Sequence, residues 1–283
     1  MTSLAMIDGA LCAPEDAQVS VYDRGFLYGD SVFEALRTYR GEPFALGEHS
    51  ARLAASAERV AIPLPIPIAA LEAEVRTAIA AAKNPESYVR VMLTRGRSKG
   101  PGLGAASGAP LRVILVSALE APAPAIYEAG IAAVTFATQR VADVLAVSEA
   151  KLGNYLLSVL ALQRAGEAGA QEALIVDASD NVLEGSTSNV FAVVDGAVLT
   201  PPIAGILAGI TRAKVLELCA ELGLTLRQGP LPKLLLAGVH ELFITSSIRE
   251  IVPVVRVDGA PIGNGAPGPI TLSLLAAFRA KFH

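Results

Sequence analysis

A chain of 283 residues that is 52% hydrophobic and 18% charged is long enough to bury a sizeable core, in one large domain or in two of ordinary size. Its 23 basic and 27 acidic side chains leave a net charge of -4, which lacks the basic footprint of a nucleic-acid binder. Two distant cysteines, Cys12 and Cys219, and three scattered histidines, His49, His240 and His283, match no ligand spacing and argue against a metal site or a disulfide framework.

The opening MTSLAMIDGALCAPEDA has no basic region leading into an apolar run. The longest apolar stretch, 196–210, is too short and too broken by proline to span a bilayer, so the expectation is a cytoplasmic protein without a membrane segment. A strand-and-turn region (IDG, YRGEP) then leads to helices predicted at 48–61, with Leu53, Ala57 and Val60 in helical spacing, and at 69–83, with Leu71, Val75, Ala78 and Ile79. Strands are predicted at YVRVMLT and LRVILVSAL. Between them GRSKGPGLGAASGAP, 96–110, lacks the glycine spacing of a dinucleotide cradle and reads as a mobile loop bordering a site.

Alternate prolines in EAPAPA, 120–125, suggest an N-terminal domain over 1–119, a linker over 120–128 and a C-terminal domain over 129–283. The second part reads as a strand at 130–137, a helix at 148–166, hairpins turning at Asp195-Gly196 and Asp258-Gly259, and helices near 211–222 and 269–282. Strands come in runs rather than in strict alternation with helices, which makes the class α+β, with mixed sheets and flanking helices.

SEAKLGNYLLSVLALQRAG, 148–166, spaces Leu152, Leu156, Leu157, Leu160 and Ala161 like one face of a helix turned toward a core, with Lys151 where that face begins. Two readings stand: a surface lysine whose stem lies along the apolar stripe, or a partly desolvated amine able to act as a nucleophile. Glu184, in VLEGSTSNVF, is an acid within apolar strand, a costly position unless it meets a cation. GITRAKVLELCAELG starts a helix at Thr211, and Ile210 and Thr211 there are either an ordinary cap or an anion site. FITSS ends an apolar strand in Ser246 and Ser247, as a plain turn or a second anion contact. Arg52 lies on an amphipathic helix, where most arginines are surface residues, and could serve as the cation for a bound anion. In SYVRVMLTRG a period of two puts Tyr88, Arg90 and Met92 on one face, and a tyrosine beside an arginine can grip a carboxylate.

Together and in this order, VYDRGFLYGDSVFEALRTYRGEPF, ARLAASAERV, KLGNY, LEGSTSNVF, GITR and FITSSIREIVPV resemble the class IV, or fold type IV, pyridoxal-phosphate enzymes over nearly the whole chain. That family includes branched-chain aminotransferases, D-amino-acid aminotransferases, R-selective amine transaminases and aminodeoxychorismate lyases. The resemblance implies pyridoxal 5'-phosphate as cofactor, with Lys151 bound to it covalently and moving the substrate proton. It implies Glu184 on the pyridine nitrogen, Arg52, Ile210, Thr211, Ser246 and Ser247 on the phosphate, Leu207 against the ring, and Tyr155 near the ring hydroxyl. In this family the site lies between two domains and is completed by a neighbouring subunit, so a homodimer or higher homo-oligomer is implied.

Tyr88 with Arg90, and LYGDSVFEALR with Tyr28, Phe33 and Arg37, look like the substrate pocket of branched-chain aminotransferases. D-amino-acid aminotransferases carry a tyrosine at Phe33 and an arginine and histidine pair in the loop that here holds Arg97 and Lys99. The lyases carry a threonine at Ala35 and a lysine near Arg90. Ile248 and Arg249 depart from the small residues that branched-chain enzymes keep in the turn receiving the α-carboxylate. The implied reaction is transamination between an aliphatic or branched-chain L-amino acid and a 2-oxo acid such as 2-oxoglutarate. Transamination of D-amino acids or R-amines is the alternative, and the lyase reaction is a further one.

Overall fold

The computed structural model describes residues 2–100, 102–104, 108–138 and 149–283. The chain forms two units, Met1–Glu120 with Ala150–Tyr155, and Ala121–Glu149 with Leu156–His283.

In the first unit, strands β1 (Leu4–Ile7), β2 (Ala10–Cys12), β3 (Ser31–Tyr39), β4 (Glu42–Pro43), β5 (Ser87–Thr94) and β6 (Leu111–Ala118) form one antiparallel sheet in the order β2-β1-β6-β5-β3-β4. Helix α1 (Arg24–Tyr28) precedes β3, and α2 (Leu46–Arg59) and α3 (Ile68–Ala82) come between β4 and β5. In β5 Ser87, Val89, Val91 and Leu93 are buried, Tyr88, Arg90 and Met92 between them face the other way and stay half-buried, and Thr94 ends the strand buried. The buried face joins Val32 and Leu36 of β3 in a core closed by Leu53 and Ala57 of α2 and Leu71, Val75 and Ala78 of α3, all at the spacing of a helix face. One side of this sheet is therefore packed by helices, and the opposite side displays Phe33, Ala35 and Arg37 in register with Met92, Arg90 and Tyr88.

The second unit contains α4 (Ala125–Glu128), β7 (Ile131–Ala137), α5 (Leu156–Glu167), β8 (Glu172–Val176), β9 (Val182–Gly185), β10 (Asn189–Val194), β11 (Ala197–Thr200), α6 (Ile210–Glu221), β12 (Leu226–Gln228), β13 (Glu241–Ser246), β14 (Glu250–Val257), β15 (Ala260–Pro261) and α7 (Pro269–Phe282). Its sheet runs β12-β11-β10-β13-β14-β7-β8-β9, with β15 added beside β14. The pairs β11/β12, β14/β7 and β7/β8 are parallel and the others antiparallel, so the sheet is mixed, as the strand runs suggested. Asp195-Gly196 and Asp258-Gly259 turn their hairpins with φ of 50° and 75°, and of 49° and 82°, the left-handed pair that matches strand twist.

The helix predicted at 148–166 is shorter than its apolar spacing suggested. Ser148 lies outside the described residues, Lys151 to Tyr155 are irregular, and the helix begins at Leu156. Its inward face is Ala161 and Ala165, which pack against Ala173 and Ile175 of β8, whereas Leu156 and Leu160 are exposed. Small residues let α5 approach the sheet closely, and the larger leucines are left outside.

The paired residues Phe191 of β10 and Phe243 of β13 are both fully buried and stack with ring centroids 4.9 Å apart and planes 3° from parallel. Phe191→Ala is expected to destabilise the second unit by about 3–5 kcal/mol, read as a fall in its denaturant midpoint. A shift below about 1 kcal/mol would mean that the neighbouring strands collapse into the vacated space.

Candidate functional site

Lys151 is held against the edge of β3. Its N–H donates to Ser56 Oγ (3.1 Å), its carbonyl accepts from Phe33 N–H (3.0 Å), and Leu152 bridges Val32 in antiparallel fashion. These contacts leave the lysine half-buried rather than on the surface, with its Nζ 4.8 Å from the centre of the Phe33 ring and 3.4 Å from Tyr155 Oη. Arg90 places its guanidinium carbon 3.9 Å from the same ring centre, and Tyr155 meets the ring edge-on at 5.1 Å. One buried aromatic ring thus carries an amine and a guanidinium, each held by cation–π attraction. Among the described residues Arg90 has no carboxylate partner. Arg37, on the same sheet face, lies over Tyr39 with its guanidinium carbon 4.3 Å from the ring centre. Tyr28 exchanges hydrogen bonds with Gly102, its hydroxyl donating to the carbonyl (3.0 Å) and accepting from the N–H (2.6 Å). That ties it to the glycine-rich segment, of which residues 101 and 105–107 lie outside the described residues.

Arg52 is not the surface residue that helix statistics suggest, since only 12% of its side chain is exposed. Its Nε and Nη2 donate to the two oxygens of Glu34 (2.7 and 2.6 Å), and His49 Nδ1 lies 2.7 Å from Glu34 Oε2. Because β3 alternates, Glu34 points to the helix side while Phe33 points away from it. Burial raises the Glu34 carboxyl, but the hydrogen bonds from Arg52 and His49 outweigh it and bring the pKa down to about 2. Burial pushes the His49 pKa below its usual value and Arg52 and Lys151 add to this, against the pull of Glu34. His49 is therefore neutral and donates from Nδ1 to a carboxylate that can only accept. The void beside this cluster, lined by Leu46, Leu53 and Val91 among others, measures about 10 Å³, room for one water and no substrate.

The second unit gathers another set. Glu184 on β9 accepts from the Leu207 N–H at its Oε2 (3.2 Å), and the Leu207 carbonyl accepts from Asn189 Nδ2 (3.0 Å). A Cβ on Gly209 would fall 1.9 Å from Asn189 Oδ1, so a larger residue here would have to displace that amide. Helix α6 then begins at Ile210 with no side chain capping it, and the Thr211 hydroxyl is buried without a hydrogen-bond partner. Uncapped N–H groups and an unsatisfied buried hydroxyl at one helix N-terminus form an arrangement suited to an anion. Ser246 ends β13, and Ser247, Ile248 and Arg249 form the turn into β14, where the Arg249 N–H donates to Ser246 Oγ (3.2 Å).

Residues 31–257 match the model of the amino-transferase class IV family. The chain belongs to the class IV aminotransferases. This aminotransferase is 33% identical over 275 residues to the D-alanine aminotransferase of Bacillus licheniformis, covering 97% of this chain and 95% of the relative. It superposes on the branched-chain amino acid aminotransferase of Escherichia coli with a TM-score of 0.93 at 32% identity, covering 100% of this chain and 95% of the other. A third match, the T.th. branched-chain amino acid aminotransferase with pyridoxamine 5'-phosphate, gives a TM-score of 0.92 at 30% identity, with 99% and 93% covered. The enzyme therefore moves an amino group between small molecules, an amino donor and an oxo-acid acceptor. No helix among its described residues is long and apolar enough to cross a membrane.

Sequence reasoning missed Glu34, His49, Asn189 and Glu172. The signal for Glu34 is present in SVFEALRTY, an acid on the face that otherwise carries Val32 and Leu36, and Glu172 opens the wholly buried strand EALIV in the same way.

The lowered Glu34 pKa stabilises the fold fully above its ordinary value of 4.5 and loses that contribution as pH falls toward 2. His49, lowered from 6.5, adds to acid destabilisation because the unfolded chain takes up its proton first. Glu34→Gln is expected to cost about 3–5 kcal/mol near neutral pH by removing the buried charge opposite Arg52, and to flatten the loss of stability between about pH 5 and pH 3. Urea unfolding at several pH values measures both, and parallel pH profiles for parent and variant would contradict the assignment.

Proposed function

We propose that this aminotransferase uses pyridoxal 5'-phosphate to move the amino group of aliphatic, branched-chain L-amino acids to a 2-oxo acid such as 2-oxoglutarate. The observation that carries the reading is the shared Phe33 ring, which presents the Lys151 amine and the Arg90 guanidinium on one side of one sheet. The cofactor's fit rests on the α6 N-terminus, where the buried Thr211 hydroxyl lacks a partner. The N–H groups of Ile210 and Thr211, the Thr211 hydroxyl, and Ser246 and Ser247 would bind its phosphate, with Arg52 as the cation, oriented by Glu34. Leu207 would pack on the ring, Tyr155 would approach the ring hydroxyl, and Glu184 would hold a proton at the ring nitrogen. When bound, pyridoxal 5'-phosphate supplies an aldehyde that condenses with amines and a ring that takes up the electron pair left on the α-carbon when its proton departs.

Lys151 Nζ is the group we assign to hold the cofactor covalently, and its amine would take the proton from the substrate α-carbon. Arg90 and Tyr88 would hold a substrate carboxylate, with Tyr28, Phe33, Arg37 and Ile248 shaping the rest of the pocket. A second copy of the chain is the expected partner, and the exposed Leu156, Val159 and Leu160 of α5 support that reading.

The D-amino-acid reading draws on the Bacillus licheniformis relative. A spectrum of the purified protein, followed by single donors without acceptor, separates the two. L-Leucine or L-glutamate is expected to abolish the visible band of the lysine-bound cofactor, and bleaching by D-alanine or an R-amine alone would overturn the L-specific reading. Lys151→Ala is expected to remove both the band and turnover, whereas Glu184→Gln is expected to lower the rate about 10²-fold with cofactor still bound. A Lys151→Ala protein that kept band and turnover would exclude Lys151 as the covalent residue.

A further inference from the structure

Glu172 opens β8 with no solvent exposure, and its carboxylate is surrounded by donors. Oε1 accepts from the N–H groups of Ala173 (3.0 Å) and Ser186 (3.1 Å) and from Ser186 Oγ. Oε2 accepts from Ser188 Oγ (3.0 Å) and from Arg249 Nη2 (2.6 Å). The same nitrogen of Arg249 donates to Thr187 Oγ1 at 3.2 Å. Ser186, Thr187 and Ser188 follow Glu184 in the connection from β9 to β10, where Ser186 and Ser188 donate to this buried carboxylate and Thr187 accepts from Arg249. Gly185 leaves room for the arrangement, since a Cβ there would sit 2.0 Å from Ser188 Oγ and 3.2 Å from Glu172 Cδ.

Arg249 comes to Glu172 from the turn between β13 and β14. The Arg249 carbonyl accepts from Tyr127 Oη (3.2 Å), and the next residue, the buried Glu250, lies at φ 60° with its carboxylate 2.8 Å from Arg279 Nε and 2.9 Å from His283 Nε2. The turn is thus anchored behind by α4 and α7, and its forward tie, the Arg249 guanidinium, ends on Glu172 in the antiparallel β8–β9 hairpin that carries Glu184. Both ends of the tie lie within the second unit.

We infer that Arg249 and Glu172 are a pair of positioning residues, whose ion pair sets the turn of Ser246 to Arg249 against the Glu184 hairpin. Resting on the cofactor reading above, this lets the groups assigned to the phosphate and to the ring nitrogen engage one ligand together. An arginine suits the task because one planar nitrogen reaches both Glu172 and Thr187 while its stem spans from the turn.

The test compares Arg249→Ala, Arg249→Lys and the double variant Glu172→Gln with Arg249→Ala, each freed of cofactor and titrated with pyridoxal 5'-phosphate. Hydrogen exchange of segments 184–189 and 246–250 is followed in parallel. Arg249→Ala is expected to weaken cofactor affinity about ten-fold or more and to accelerate exchange in both segments at once. Arg249→Lys, whose ammonium still pairs with Glu172, recovers part of the affinity. The double variant leaves no stranded buried charge, so it is expected to regain thermal stability without regaining affinity. Parental affinity in the double variant, or faster exchange confined to 246–250, would overturn the inference and reduce the pair to charge compensation. A parent protein that binds no pyridoxal 5'-phosphate would overturn the cofactor reading instead, and the exchange data would still decide whether the two segments are tied.

Discussion

A carboxylate removed from water has to be surrounded by donors, and each unit of this chain holds such a group next to its candidate residues. In the first unit Glu34, with 1% of its side chain exposed, is met by Arg52 and His49. In the second, Glu172, with none exposed, is met by Arg249 and two serines. Removing either partner of such a pair strands a charge at a cost of about 3–5 kcal/mol, so the arrangement allows little drift. Within each unit the candidate residues are positioned by that unit's own centre as much as by the apolar core.

Strand β3 shows how the first centre reaches the chemistry. Its alternation sends Glu34 toward α2 and Phe33 to the other side, and the register with β5 sets Arg90 across from Ala35. Lys151, in an irregular segment hydrogen-bonded along the edge of the same strand, shares the ring of Phe33 with Arg90. One strand therefore fixes the amine, the arginine beside it and the buried ion pair through a single backbone. In the second unit the corresponding role falls to close approaches: Gly209 against Asn189 and Gly185 against Ser188 let loops come near enough for Leu207 to donate to Glu184 and for Ser188 to donate to Glu172.

Much of the fold was legible in the sequence. The period of two in YVRVMLT is the observed split between buried Val89, Val91 and Leu93 and half-buried Tyr88, Arg90 and Met92. The helices predicted at 48–61, 69–83, 211–222 and 269–282 form within about two residues of those limits, because capping and helical spacing are local properties. The helix predicted at 148–166 forms only from Leu156, and the face it buries differs from the predicted one for a physical reason. Apolar spacing marks a face that prefers burial, yet α5 buries its alanines and leaves Leu156 and Leu160 outside. Arg52 likewise looked like a surface residue because nothing within its own helix reveals that Glu34, eighteen positions earlier, points at it.

The sequence by itself determined the elements, the family motifs and the residue types that an amino-group transfer requires, because periodicity and motif are carried by neighbours along the chain. Only the tertiary structure decided which charges are buried, which rings and carboxylates they meet, and that Arg249 ends on Glu172. Those pairings join residues far apart in the chain, 77 positions for Arg249 and Glu172, and depend on sheet register and on gaps left at particular glycines. Neither is a property of any short stretch.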